Sequence, residues 1–330
     1  MARLIAVLAG AATLLFLLLG PIAWWATPAK HLTGKDKADA RNSTRQVLLA
    51  GIGGIGLLVG ASFTARTYFL ARRGQVTERY GKAVAQLSSE KLVERLGGIY
   101  ALEHVMADSL AHHETVCSVL AAFVREEARG KTGTGAGDHV ATDVEAAVSV
   151  LGRRPHRRER GAVDLTGAWL TGADLAGAYL EGAVLRSARL DAADLSGIHL
   201  DQADLRETVA ENAKLDDAHL RGVRLGKASL KAASLANCDL RDADLTSADL
   251  IDVRASHCDF RNADLHHAVL EGADLGDSDL SGAVLTGARL READLSRTIG
   301  LVPEQLDAAR VDDSTRIPAY AVIRNKIIGP

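Results

Sequence analysis

The sequence is short of several things that would announce a chemistry. Three cysteines in 330 residues leave no disulfide framework and point to a reducing compartment. No nucleophile elbow, phosphate-cradling glycine loop or cysteine pair at metal spacing is present. His112, His113 and Glu114 lack the H-E-x-x-H spacing and fall where a turn between helices is expected. The chain therefore reads as a non-enzyme, with no catalytic residue, cofactor or metal assigned. Charge of one sign is missing too: the net charge is −3. That balance hides a split. Residues 162–300 hold 24 Asp/Glu against 14 Lys/Arg, whereas residues 1–161 hold 14 against 21. Arginine outnumbers lysine 29 to 10, in keeping with a GC-rich bacterial genome.

What is present is a beat of five. Of the 27 positions at multiples of five from Leu165 to Leu295, 24 are leucine, and the others are Ala210, Ala255 and Phe260. Two residues before each, 19 of 27 positions are alanine; the other eight, such as Val163, Ile198, Thr208 and Cys238, are small or β-branched. The remaining three positions of each unit are mostly polar, charged or glycine. A helix would smear such leucines around its circumference, and a strand would throw them to alternate faces. A coil that turns a corner every five residues returns each leucine to one axis. That is a solenoid, whose units bury apolar residues only against their neighbours.

The recurring A-D-L-x-x, as at Ala173-Asp174-Leu175, Ala243-Asp244-Leu245 and Ala293-Asp294-Leu295, resembles the pentapeptide-repeat family. The resemblance implies an all-β solenoid, a right-handed quadrilateral β-helix with twenty residues per coil. At a strand spacing of about 4.8 Å, nearly seven coils make a rod roughly 30 Å long. On that register Cys238 and Cys258 lie one coil apart at the inward small position and read as stacked, buried, reduced thiols. Val253 and Phe260 are expected to make up the volume missing at Ala255. Ala210 has no such compensation, and a distorted or solvent-open corner is expected there.

Ahead of the solenoid the sequence predicts a transmembrane helical hairpin over residues 1–71. Leu4 to Ala26 is uncharged and ends at Trp24 and Trp25; its 23 residues reach about 34 Å as a helix, enough for a bilayer core. The rival reading, a signal peptide, asks for a shorter run and a small-residue cleavage site. A second uncharged run, Val47 to Ala65, carries Gly56 and Gly60 in a G-x-x-x-G and is stopped by Arg66. A polar loop of some twenty residues is expected between them. Basic residues are nearly balanced across the spans, so the free cysteines and the cytosolic habit of the resembled family favour both termini inside. The localisation implied is the cell membrane, multi-pass.

Residues 72–129 read as a small helical region. Tyr80, Val84 and Leu87 share one face; Ser89 is an expected N-cap for a helix carrying Leu92, Leu96, Ile99, Tyr100 and Met106; a third helix, Glu114 to Ala128, presents Val116, Leu120, Phe123 and Val124. The stretch "GQVTERYGKAVAQLSSEKLVERLGGIYALEHV" resembles a helical region of membrane-anchored actinobacterial pentapeptide-repeat proteins, a resemblance that implies no chemistry. Residues 130–160 read as a linker, a short helix with a capping box from Thr142 to Glu145 and Gly152 as C′, and a solvated basic hinge, "RRPHRRERG". The β-helix takes residues 161–300. Residues 301–330, with Pro303 at a helix start and Leu301, Leu306, Val311 and Ile317 apolar, read as its C-terminal cap.

Two binding functions follow. Some soluble members of the resembled family imitate duplex DNA and bind DNA gyrase, protecting it from topoisomerase inhibitors. Asp239, Asp259 and Asp279 fall one per coil, as an imitator's acidic stripe would. Arg221, Arg241 and Arg261 form a ladder two residues along, able to neutralise them. His199, His219 and Asp239 share a column that reads as exposed polar surface rather than a zinc site. The leading reading is a membrane-anchored interaction scaffold, held in lipid by two spans, binding an unknown protein partner and no nucleic acid. The gyrase-binding mimic is the alternative.

Overall fold

The structure is a computed structural model and describes residues 13, 17, 21–26, 34–129, 140–155, 157 and 159–321. Two compact units divide the chain, residues 1–77 and 78–330.

In the first unit, helix α1 (Gly34–Leu87) starts well before the expected second span and continues into the second unit. The polar stretch assigned to a loop is therefore helical from Gly34 on, and the helical face of Tyr80, Val84 and Leu87 belongs to the same helix continued. Its residues explain this: Lys35, Lys37, Ala38, Ala40 and Arg41 are good helix formers, and no proline interrupts the chain up to Leu87. α1 is long and apolar enough to cross a membrane, and none of its most apolar window is buried. Leu57, Leu58, Val59 and Phe63 all face outward. The guanidinium of Arg41 lies 5.9 Å from the ring centroid of Trp24, which belongs to a short helical turn, Ala23–Ala26. The rest of the expected first span lies outside the described residues, apart from Thr13, Leu17, Pro21 and Ile22.

The second unit opens with three helices packed on one another: α2 (Leu92–Asp108), α3 (Leu110–Arg129) and α4 (Thr142–Gly152). Their shared core is Ile99, Leu102, Val105 and Met106 of α2, Val116, Leu120 and Val124 of α3, and Val144, Val148 and Leu151 of α4. Leu92 and Tyr100, expected in this core, are exposed; the buried stripe of α2 sits one position round the helix. Ala83 and Leu87 of α1 are buried as well, and Gly98 meets that helix closely. A Cβ at Gly98 would stand 2.7 Å from the backbone of Ala83 and of Leu87. Two N-caps differ from expectation. Lys91, not Ser89, is the N-cap of α2, with the Ser89 hydroxyl accepting from the Lys91 N–H at 3.2 Å. α4 has Ala141 at its N-cap, whose methyl offers no acceptor, so no side-chain cap bond forms, and Asp143 of its first turn is turned inward to Arg95.

The solenoid fills residues 163–299 and turns once in twenty residues. Parallel bridges link each outward residue to the one a coil later, from Asp164↔Val184 to Asp279↔Ile299. They are single bridges rather than extended strands, because a corner interrupts every fifth residue. Each corner from Gly167 to Glu292 places its second residue in the left-handed region, at φ near +60°: glycine at Gly172, but also Ala192, Lys227 and Asp252. Its ends are joined by a turn bond such as Ala173 N–H to Leu170 O, 3.1 Å, and Gly172 N–H reaches Asp191 O of the next coil at 2.8 Å. That alternation of bridge and left-handed corner is what a five-residue period encodes.

Every leucine of the beat, with Phe260, is buried. The expected defect at Ala210 does not exist. Ala210 is buried and its N–H bonds Ser229 O at 2.8 Å, while the buried Thr208 hydroxyl donates to Leu185 O at 2.9 Å. Ala255 is likewise buried beside Val253 and Phe260, and the Ser278 hydroxyl donates to its carbonyl at 2.7 Å. Cys238 and Cys258 are free and buried, their thiols donating to Leu215 O and Leu235 O one coil back.

Both ends of the coil are covered. At the C-terminal end, α5 (Pro303–Ala308) buries Leu306, and Gln305 donates to Leu280 O and Ala283 O at 3.0 and 2.7 Å. The chain then rejoins the coil through Arg289↔Arg310 and Asp294↔Arg316. At the other end, the carbonyl of Gly152, at the end of α4, accepts from Tyr179 N–H at 2.7 Å. Gly152 is needed there because a Cβ would meet the Ala178 Cβ at 2.6 Å; it is the last helical residue of α4, with Arg153 as C-cap.

Candidate interaction surface

The outward residues form four columns, one on each side of the square coil. One column reads Tyr179, His199, His219, Asp239, Asp259, Asp279, Ile299, each bridged to the next. Its first half is a ring stack: Tyr179 on His199 at 4.1 Å and 11°, then His199 on His219 at 4.3 Å and 7°. Its second half is the acidic run singled out from the sequence.

Those aspartates are not a bare negative stripe. Each accepts a hydrogen bond from the backbone N–H two residues on: Arg241 to Asp239 at 3.3 Å, Arg261 to Asp259 at 3.1 Å, Ser281 to Asp279 at 2.9 Å. This is an Asx turn, in which a short carboxylate stitches the corner that follows it. The same bond recurs on the other sides, at Asp174, Asp194, Asp244, Asp264, Asp274 and Asp294. The aspartate of A-D-L is thus a corner-building residue, and much of the rod's acidity follows from its architecture. Sequence reading missed this role; the regular placement of aspartate one residue before the buried leucine was the available signal.

The arginines divide unequally. Arg241 bonds Asp239 at 2.5 Å and reaches Asp259 at 3.5 Å. Arg261 bonds Asp259 at 2.6 Å and lies 3.9 Å from Asp279. Arg221 stands apart from the ladder: its guanidinium pairs with Asp242 at 3.3 Å, and its N–H donates to Asp201. The reason is register, since the coil residue beside Arg221 is His219 rather than an aspartate. Hydrogen bonds from Arg241 and Arg261 hold the carboxyls of Asp239 and Asp259 below the usual carboxylate range. On another side, Asp204, clasped by Arg206 at 2.6 Å and Arg186 at 2.7 Å, is held well below it.

The expected basic hinge is also engaged. Arg153 pairs with Glu103 at 2.7 Å. Arg154 pairs with Glu159 at 2.7 Å and donates to Tyr179 O at 2.6 Å. Arg157 donates to Met106 O and Ala107 O. Carbonyls at the end of a helix and a carboxylate inside the junction draw these side chains inward, so they fasten the helices to the first coil instead of remaining solvated. Arg125 adds a bond from α3 to the carbonyl of Asp164. The Cys117 thiol at this junction is pushed up to about 11 by burial, with Glu159 adding to the effect. His156 and Arg158 of the hinge, and the linker Gly130 to Gly137, lie outside the described residues.

A family model for pentapeptide repeats matches residues 162–197, 188–226, 224–262 and 263–299, with eight copies. Comparison with curated proteins gives no match. Among solved structures, the chain is similar to QnrB1, a plasmid-mediated fluoroquinolone resistance protein, at 20% identity over 44% of this chain and 79% of that one, TM-score 0.26. It is similar to the pentapeptide-repeat protein Rfr23 from the cyanobacterium Cyanothece 51142, at 23% identity over 39% and 90%, TM-score 0.22. HetL, a pentapeptide-repeat protein involved in heterocyst differentiation regulation from the cyanobacterium Nostoc sp. strain PCC 7120, gives 29% identity over 46% and 86%, TM-score 0.19.

Proposed function

Through residues 162–299 the chain belongs to the pentapeptide-repeat family of right-handed β-helices, and from that premise we propose that it is a membrane-anchored, non-catalytic scaffold binding a protein partner. The spans Leu4–Ala26 and Val47–Ala65 hold it in the bilayer, with both termini cytoplasmic. The observation that carries the reading is the engagement of the acidic run: Asp239, Asp259 and Asp279 each serve a corner, and Arg241 and Arg261 pair with them. A face of alternating charge in fixed register suits a polar protein surface, because complementary charges set partner choice and orientation. The column from Asp239 to Asp279, with Arg241 and Arg261, is the proposed contact.

The alternative, a gyrase-binding imitator of duplex DNA, draws on the same three stacked aspartates. It ranks second because a duplex presents an uninterrupted row of negative charge, and this row is interrupted by guanidinium groups.

Photo-crosslinking in native membranes tests the proposal. The protein stays in the membrane through carbonate and high-salt washing, since apolar burial rather than charge holds it. A crosslinker placed at Ser281 captures a discrete protein, and Arg241→Glu with Arg261→Glu abolishes the capture. Release by salt alone, or capture indifferent to the charge reversal, contradicts the proposal.

A further inference from the structure

His113 and Cys117 stand four residues apart on α3, so their side chains issue from one face of the helix. Both are buried, His113 to 2% exposure. Glu159, from the connection between α4 and the coil, meets them there, its Oε1 lying 2.8 Å from His113 Nε2. One ring nitrogen, the thiol sulfur and a carboxylate oxygen all lie within 4.8 Å of one another. Arg154 holds the same carboxylate through both oxygens, donating from Nε to Oε1 at 2.7 Å and from its terminal nitrogen to Oε2 at 3.0 Å. A carboxylate offers about four lone-pair sites, so one remains on each oxygen, and that on Oε1 is the one at the His113 contact. The buried Nδ1 of His113 has no hydrogen-bond partner among the described residues. Beside the cluster, a cleft of about 220 Å³ lined by Cys117, Glu159, Glu114 and Arg125 gives an ion a way in.

We propose that His113, Cys117 and Glu159 are three ligands of a zinc-class metal ion, with its fourth position toward this cleft. An imidazole, a thiol and one carboxylate select a borderline dication such as zinc; magnesium and calcium take oxygen ligands. The 2.8 Å contact between His113 and Glu159 is what two ligands make when a proton lies between them. The ion displaces that bridging proton and the Cys117 thiol proton to solvent, and Arg154 orients the carboxylate from the outer shell. Two ligands come from α3 and one from the segment entering the coil, so the ion clamps the helices to the rod. The site is independent of the scaffold reading.

Cobalt is the spectroscopic probe, added to the full chain in detergent. One equivalent binds and gives a thiolate-to-cobalt charge-transfer band. Cys117→Ser removes the band and weakens binding by at least the roughly 10–100-fold that losing an outer-shell partner costs. Glu159→Gln keeps the band and weakens binding. Cys238→Ala with Cys258→Ala leaves both unchanged. In the unaltered protein, equimolar zinc slows alkylation of Cys117, and a chelator restores it. No band at one equivalent, a band surviving Cys117→Ser, or alkylation of Cys117 indifferent to zinc overturns the proposal.

Discussion

The coil and the helical junction bury their residues by opposite rules. In the coil, a residue's neighbour is the equivalent residue twenty positions away, so one local solution is repeated from Asp164 to Ile299. In the junction, the contacts that matter join residues 46 to 51 positions apart in single, unrepeated pairs: His113 with Glu159, Arg157 with Met106, Arg153 with Glu103. The difference bears on function. Because each coil needs stitched corners, aspartates accumulate on the rod for architectural reasons, and a net charge alone misstates what the surface offers.

The repeated rule is the one whose violation costs most. Leu245→Asp puts a carboxylate without a partner into a dry core and is expected to cost more than about 4 kcal/mol, abolishing the cooperative melt of residues 78–330. An unchanged melting temperature would contradict the core assignment. In the junction, Asp143→Ala removes the carboxylate that Arg95 meets at 2.6 Å and leaves its guanidinium only the carbonyls of Ser89 and Glu90, at an expected cost of about 1.5–3 kcal/mol. Hydrogen exchange should show α2 and α4 opening while the mid-coil amides stay protected; equal loss in both regions would mean that they unfold as one. Acid acts on the coil's side of the division. The carboxyls of Asp204, Asp239, Asp259 and Asp294 are lowered in the folded state, so their contribution is complete above the unfolded value of about 3.9 and is lost as pH falls below it through the folded values. Trp169 fluorescence, the sole tryptophan signal of residues 78–330, should report a coil whose melting temperature is flat from neutrality to about pH 5 and falls below about pH 4. A coil unaffected by acid would remove the corner role from these aspartates. The smallest effect is a gain: Lys227 sits at φ 60°, and Lys227→Gly is expected to stabilise the coil by about 0.5–1 kcal/mol. Destabilisation there would mean that the lysine side chain contributes more than the backbone relief.

Legibility follows the same division. The leucine beat located every inward position, and the one-coil spacing of Cys238 and Cys258 placed both thiols correctly, because repetition turns sequence distance into spatial distance. The Ala210 expectation failed because it weighed apolar volume alone; the Thr208 hydroxyl fills its inward site while bonding Leu185 O. The arginines of "RRPHRRERG" read as solvated because nothing local announces that Glu103, Glu159 and the end of α2 will stand opposite them. Of the surface column, the stacking of the aspartates was readable, whereas their service to the corners depends on backbone geometry. Arg221 joined the ladder by its spacing alone, and leaves it because the nearest carboxylate belongs to Asp242.

The rod's acidity acts either as architecture or as an imitation of DNA, and one assay separates the two. DNA gyrase supercoiling is measured in the presence of residues 78–330, without residues 1–77, over a range of salt. An architectural role predicts no inhibition at any salt, and no difference when Asp239, Asp259 and Asp279 are changed together to Asn. Potent inhibition that weakens with salt and disappears in the triple variant would contradict it.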